Sequence, residues 1–173
     1  MPRGLILVNT GPGKGKTTAA LGVVTRALGH GQKVAFIQFI KSQATGESQF
    51  LEELARERPD SLFYARRGQG FVGQNPSQSD LDLAREGLEL ARSLAGDYDL
   101  LVLDEINVAL SLGLLELGEA VEFVRNKPPA LSLILTGRGC PAELIVLADT
   151  VTEMKDVKHA LRAGIPARRG VDF

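Results

Sequence analysis

The 173-residue sequence contains no tryptophan, one cysteine and two histidines, and aromatic residues make up 5% of it. Each shortage excludes something. With so few rings there is little on which to stack unpaired bases. Lys and Arg number 20 against 21 Asp and Glu, a formal net charge of −1, so the basic excess of a nucleic-acid binder is missing and no nucleic-acid partner is expected. The single Cys140 cannot close an intrachain disulfide, which fits a reducing compartment. No apolar run approaches the ~18 residues that cross a bilayer, and the run Leu5–Val8 before Gly11 is too short for a secretion signal. These absences predict a soluble, cytoplasmic chain with no membrane partner. Nor is there a Cys/His set at metal-ligand spacing or a Ser-His-Asp arrangement; His30 falls in a helix-stopping turn and His159 in the tail.

What is present reads as one domain over residues 1–173. The length suits a single core, and 44% hydrophobic with 24% charged residues is an ordinary globular balance. Leu5–Val8, Val34–Ile40, Leu62–Tyr64, Asp99–Leu103, Leu131–Leu135 and Thr150–Met154 are short, nearly continuous apolar runs, the pattern of strands buried on both faces. Between them lie helical patterns. Ala20, Val23, Val24, Ala27 and Leu28 recur at helical spacing and stop at Gly29-His-Gly31; Gln49–Glu57 is a second helical stretch. Leu81, Ala84, Leu88, Ala91 and Ala95 share one face of a helix from Ser77, and Leu117, Ala120, Val121 and Val124 mark another, stopped by Pro128-Pro129. Pro141 is suited to open a short helix. Arg66–Pro76, with three Gly and one Pro, is expected as a loop. Strands alternating with helices predict an α/β fold, a mostly parallel sheet with helices on both faces. Right-handed crossovers then bring Gly11–Thr18, Gln38–Lys41, Asp104–Glu105 and Thr136–Gly139 to one edge of the sheet and one crevice.

Thr10-Gly-Pro-Gly-Lys-Gly-Lys-Thr-Thr18 sits between the first strand and an amphipathic helix. Glycines let successive N–H groups turn toward phosphate oxygens, and the helix N-terminus adds its dipole. Gly11, Pro12, Gly13, Lys14, Gly15, Lys16, Thr17 and Thr18 are therefore candidate nucleotide-binding residues. Lys16 supplies a point charge to a triphosphate, and the Thr17 hydroxyl is placed to reach Mg²⁺. The strict phosphate-loop pattern begins with Gly where this chain has Thr10. Asp104-Glu105, after an apolar strand, are candidate metal-side carboxylates. Arg138, between two glycines at another strand end, offers a planar fork to phosphate. Positioning and charge stabilisation dominate such a site, because base candidates are few.

Several strings, in order and nearly end to end, resemble the P-loop corrinoid adenosyltransferases of cobalamin synthesis and salvage. They are Gly11–Ala20, Arg26-Ala-Leu-Gly-His-Gly31, Gln38-Phe-Ile-Lys41, Leu103-Asp-Glu-Ile-Asn107, Thr136-Gly-Arg-Gly139, Val151-Thr-Glu-Met154, and Lys158-His159 through Gly170-Val-Asp-Phe173. The resemblance implies a RecA-like P-loop NTPase fold, a homodimer, ATP as co-substrate with Mg²⁺, and a reduced corrinoid as acceptor. It also implies an electron donor for the cobalt, such as a reductase or flavoprotein. The reaction implied is attack of Co(I) on the ribose 5′ carbon with release of triphosphate, which needs no protein base. ATP is implied to lie reversed relative to ordinary P-loop enzymes. Residue by residue, Gly11–Thr18 look like the triphosphate site, Glu105 like the Mg²⁺ carboxylate and Arg138 like a triphosphate contact. Lys16 and Arg138 are thus the implied catalytic pair. Phe71, after Gly70, is similar to an aromatic that packs on the corrin and excludes the lower axial ligand.

The sequence departs from the family's usual Gly-Glu-Gly-Phe-Thr-Trp, reading Gly68-Gln-Gly-Phe-Val-Gly73, so the second aromatic is missing. It also starts close to its first strand, without the N-terminal extension some relatives use as a cover. Two other readings compete: a P-loop ATPase or small-molecule kinase that makes ADP, and a non-catalytic nucleotide-gated corrinoid-binding module.

Overall fold

A computed structural model describes residues 3–40, 44–70, 72 and 75–172. The six apolar runs are all strands: β1 (Ile6–Thr10), β2 (Val34–Phe39), β3 (Leu62–Arg67), β4 (Leu100–Asp104), β5 (Ser132–Thr136) and β6 (Thr150–Glu153). They form one parallel sheet in the order β3-β2-β4-β5-β1-β6. Between them run α1 (Lys16–Gly29), α2 (Gly46–Glu57), α3 (Gln78–Leu94), α4 (Ile106–Ser111), α5 (Leu117–Arg125) and α6 (Ala142–Leu147), with a 3-10 turn at Ala160–Ala163 in the tail.

The near-continuous burial of β2 and β4 follows from helices on both faces. Val34 and Phe36 of β2, Val102 of β4 and Ile134 of β5 pack with Ala20, Val24 and Ala27 of α1 and Leu51 of α2. Alternate residues Ala35, Ile37 and Phe39, with Leu101, Leu103, Leu133 and Leu135, meet α3, α4, α5 and α6 on the other face. Each fully buried Leu, Ile or Phe contributes roughly 1.5–3 kcal/mol relative to exposure, so the two layers fix the strand ends that carry polar side chains.

Several boundaries differ from the sequence reading for physical reasons. β3 runs on to Arg67, because its backbone pairs with β2 as far as Phe39 although its last residues are arginines. α2 starts at Gly46 rather than Gln49, since Thr45 and Ser48 cap each other reciprocally. α3 begins with the same device, Ser77 and Asp80, and those hydrogen bonds hold the Asp80 carboxyl below its ordinary range. α4 carried no recognised signal: at six residues it is too short for a helical period to show.

Candidate active site

The phosphate loop leaves β1 at Thr10 and turns directly into α1, with Gly11 at φ 96° and Gly15 at φ 105° in the left-handed region. Only glycine holds such angles without strain. The loop is also pressed against the chain leaving β6. Gly13 N donates to Met154 O at 2.7 Å, and a Cβ on Gly13 would stand 2.7 Å from Lys155 O. Thr10, where the strict pattern has Gly, is still strand; its Oγ1 accepts from Cys140 N at 3.3 Å, tying the loop to the turn after β5. Burial pushes the Cys140 thiol up to about 11.

Lys16 is buried, 8% exposed, and its Nζ donates to Gly11 O at 2.8 Å and Gly13 O at 2.7 Å. Thr17 Oγ1 donates to Asp104 Oδ1 at 2.8 Å. Asp104, fully buried, also accepts from Thr136 Oγ1 at 2.7 Å and, on Oδ2, from Gln38 Nε2 at 2.8 Å. Tyr64 completes the row by donating its hydroxyl to Gln38 Oε1 at 3.1 Å. Burial, only partly opposed by Arg66, pushes that hydroxyl up to about 12, so it remains a donor at neutral pH. A buried carboxylate is tolerable when its oxygens are hydrogen-bonded in this way.

Glu105 follows Asp104 with φ 64°, its N–H bonded to Thr136 Oγ1 at 2.9 Å. The left-handed turn directs the chain from strand to α4 and leaves Asp104 behind the wall while Glu105 lines the cavity. α4 in turn supports the arginine-bearing turn. Asn107, fully buried, donates from Nδ2 to Gly137 O at 3.3 Å, and a Cβ on Gly137 would stand 3.0 Å from Val108 N. Gly137 and Gly139 are both left-handed, at φ 126° and 68°.

The cavity is about 430 Å³, lined by Gly13–Thr18, Ile40, Glu47, Glu105, Val108, Arg138 and Asp172. Four strand ends thus meet in one crevice, as the topology argument expected. Gly11 and Pro12 line an adjoining hollow that shares Arg138. Three lining residues escaped the sequence reading. Glu47 lies in the first turn of α2, Val108 in α4, and Asp172 reaches back from the tail to form an ion pair with Lys14. Gly70 is outside the cavity lining but bonds to it: its N–H donates to Ile40 O at 2.7 Å. Phe71 lies outside the described residues. The tail's Lys155, Lys158, Arg162, Arg168 and Arg169 are exposed, and His159 accepts from Leu161 N, a capping role.

The profile of the family described as ATP:corrinoid adenosyltransferase BtuR/CobO/CobP matches residues 2–173. The chain belongs to this family. It is 45% identical to the corrinoid adenosyltransferase of Pseudomonas aeruginosa, covering 99% of this chain and 84% of that one. With the corrinoid adenosyltransferase of Escherichia coli K12 it shares 40% identity, over 99% of this chain and 86% of the other. Among solved structures it resembles a KaiC-like protein of Pyrococcus horikoshii, with TM-score 0.58 and 19% identity over 90% of this chain and 74% of that one. The flagellar accessory protein FlaH of Methanocaldococcus jannaschii gives TM-score 0.61 at 14% identity, over 88% and 72%. At those identities the likeness concerns the fold, which is the RecA-like P-loop architecture. No helix among the described residues is long and apolar enough to cross a membrane.

Proposed function

We propose that this adenosyltransferase-family protein moves the 5′-deoxyadenosyl group of ATP onto Co(I) of a corrinoid and releases triphosphate, in adenosylcobalamin synthesis or salvage. The observation that carries the reading is the meeting of Lys14, Lys16, Thr17, Glu105 and Arg138 in one cavity of a chain that matches the family throughout. In the reaction the Co(I) electron pair forms the Co–C5′ bond, the C5′–O5′ bond breaks, and its electrons leave with the triphosphate. No proton is moved at carbon, which suits a cavity whose described lining includes no histidine. What the protein must do is hold the triphosphate and stabilise the charge that grows on it. Lys16 and Arg138 take that role, and the backbone of Gly11–Thr18 with Lys14 cradles the phosphates.

The residues present suit Mg²⁺. Thr17 spends its hydroxyl proton on Asp104, which leaves oxygen lone pairs for a cation, and Glu105 adds a carboxylate on the cavity wall. Thr17 and Glu105 would hold the ion together with phosphate oxygens, as is usual for Mg²⁺, and Asp104 would act through Thr17. When bound, the ion neutralises part of the charge on the leaving triphosphate. Phe71, by family resemblance, covers the corrin; a homodimer, a reductase or flavoprotein donor and a cytoplasmic site of action belong to the same reading.

The test is an anaerobic incubation with ATP, Mg²⁺ and chemically reduced cobalamin. The expected result is the light-sensitive spectrum of the cobalt–carbon product, with triphosphate formed in proportion by phosphorus NMR. Without alkylated corrinoid, stoichiometric ADP and phosphate would select the ATPase reading, and ADP without free phosphate the kinase reading. Tight corrinoid binding with neither product would select a carrier.

A further inference from the structure

Two loops from different parts of the proposed site are joined at Ile40. This residue is the first after β2, and its φ of 69° is left-handed, a strained state for a β-branched side chain. The only other non-glycine in that region among the described residues is Glu105, and both line the nucleotide cavity. Strain of this kind persists where the surroundings over-determine the backbone. Here Phe39 on one side is fully buried in the core. On the other, Ile40 O accepts from Gly70 N at 2.7 Å. Gly68 passes so close that a Cβ on it would lie 2.3 Å from the Ile40 carbonyl carbon and 2.4 Å from its Cα and O. The same turn is held from behind by a Gln69–Ser79 side-chain hydrogen bond, and Val72 just beyond is buried in the core.

From these contacts we infer that Ile40 is a positioning residue for the transfer. Its left-handed backbone sets the gap between the nucleotide cavity and the Gly68–Gly70 turn, and so the distance from a corrinoid resting on that turn to the 5′ carbon of ATP. The inference rests on the adenosyl-transfer reading above. Bond formation between two bound molecules is steep in distance, and a misplacement of about 1 Å costs roughly 10²-fold in rate. A wall made by one strained residue, with no room for even a methyl group between it and the neighbouring turn, is suited to hold such a gap. The glycine at 68 is therefore demanded by contact with Ile40, not by a special φ of its own.

The experiment uses the intact protein with cobalamin already reduced to Co(I), so that cobalt reduction does not enter the rate. Gly68→Ala inserts a methyl group into the gap. Its kcat at saturation should fall by roughly 10²-fold, while ATP affinity by calorimetry stays within about twofold, the scale of contacts left alone. Adding Ile40→Gly to Gly68→Ala should recover part of the loss, because a glycine backbone can yield. A second pair covers the case in which Gly68→Ala does not fold. Ile40→Asn and Ile40→Gly both remove the branched side chain, but Asn tolerates the left-handed state within a restricted backbone range, whereas Gly roams both signs of φ. Ile40→Asn should keep several-fold more kcat than Ile40→Gly. The inference is overturned if Gly68→Ala only lowers Tm, with kcat per folded molecule unchanged, or if its ATP affinity falls in parallel with kcat. Equal kcat for the two Ile40 variants also overturns it. Wild-type protein that yields no alkylated cobalamin sinks the functional reading itself, a separate outcome visible in the control.

Discussion

At the scale of single residues, the proposed site depends on where charge is already located. The Lys16 ammonium lies between the carbonyls of Gly11 and Gly13, so it is inside the loop that would surround a triphosphate. Lys16→Ala should lower turnover by roughly 10²-fold or more at saturating ATP, the scale of losing one preorganised electrostatic group; a near-normal rate would remove Lys16 from the chemistry. Thr17 tests the metal. Thr17→Val deletes both the bond to Asp104 and the proposed ligand oxygen, and should raise the Mg²⁺ concentration for half-maximal rate by roughly 10-fold or more. Thr17→Ser keeps the oxygen and should stay near wild type; the same titration for both variants would show that the hydroxyl only packs. These residues were legible as candidates because their pattern is local: a phosphate loop announces itself in nine consecutive letters, and Arg138 between two glycines at a strand end in three. Glu47, Val108 and Asp172 were not, because each becomes part of the cavity only through a long-range fold contact. Asp172 pairs with Lys14 across the length of the chain, and nothing in its own neighbourhood marks it. Asp104 and Glu105 were legible as a pair but not as two placements, one behind the cavity wall and one on it, which the left-handed turn at Glu105 separates.

At the scale of elements, the fold was read from apolar runs, and that signal is strong where a strand is buried on both sides. It weakens where an element is short or capped rather than periodic. α4 has six residues and no full heptad, yet it buttresses Gly137 and hence Arg138. β3 ends in two arginines, Arg66 and Arg67, which carry no apolar signal. Glycines have two distinct meanings here, and a pair of substitutions separates them. Gly13 is pressed on the chain after β6, where a Cβ would meet backbone oxygen at 2.7 Å. Gly13→Ala should part the loop from that segment, lowering both Tm and ATP affinity, the latter by roughly 10-fold, as for a contact worth 1–2 kcal/mol. Gly22 lies in α1 with nothing within 4 Å of its would-be Cβ. Gly22→Ala should therefore stabilise by roughly 0.5–1 kcal/mol, a rise in Tm of about 2–4 °C per kcal/mol at this chain length, with turnover unchanged. Thermal melts and ATP titrations of the two variants decide it; a destabilised Gly22→Ala would refute the open-space argument.

At the scale of the whole molecule, one side of the sheet is left unfinished. β3 at one edge is half-covered by α2 and α3 contacts, whereas all four residues of β6 at the other are exposed. The large apolar side chains exposed among the described residues, apart from Leu5 and Phe50, all fall between Ile145 and Val171. They run from α6 through β6 into the tail, with Val146 at 83% and Val157 at 89% exposure. A bare edge strand beside exposed apolar side chains invites pairing, and the occupant that the family resemblance supplies is a second copy of this chain. The same segment presses Met154 and Lys155 on the phosphate loop and brings Asp172 to Lys14, so burying it in a dimer would steady the nucleotide cavity from outside. Light scattering after size exclusion should show a dimer at micromolar concentration. Val157→Asp with Leu161→Asp places two charges in the apolar tail, away from the cavity lining, and should give a folded monomer whose ATP affinity falls several-fold. A monomeric wild type would refute the dimer. A double variant that stays dimeric would move the interface elsewhere, and a monomeric variant with wild-type ATP affinity would show that the tail braces the phosphate loop without help from a partner.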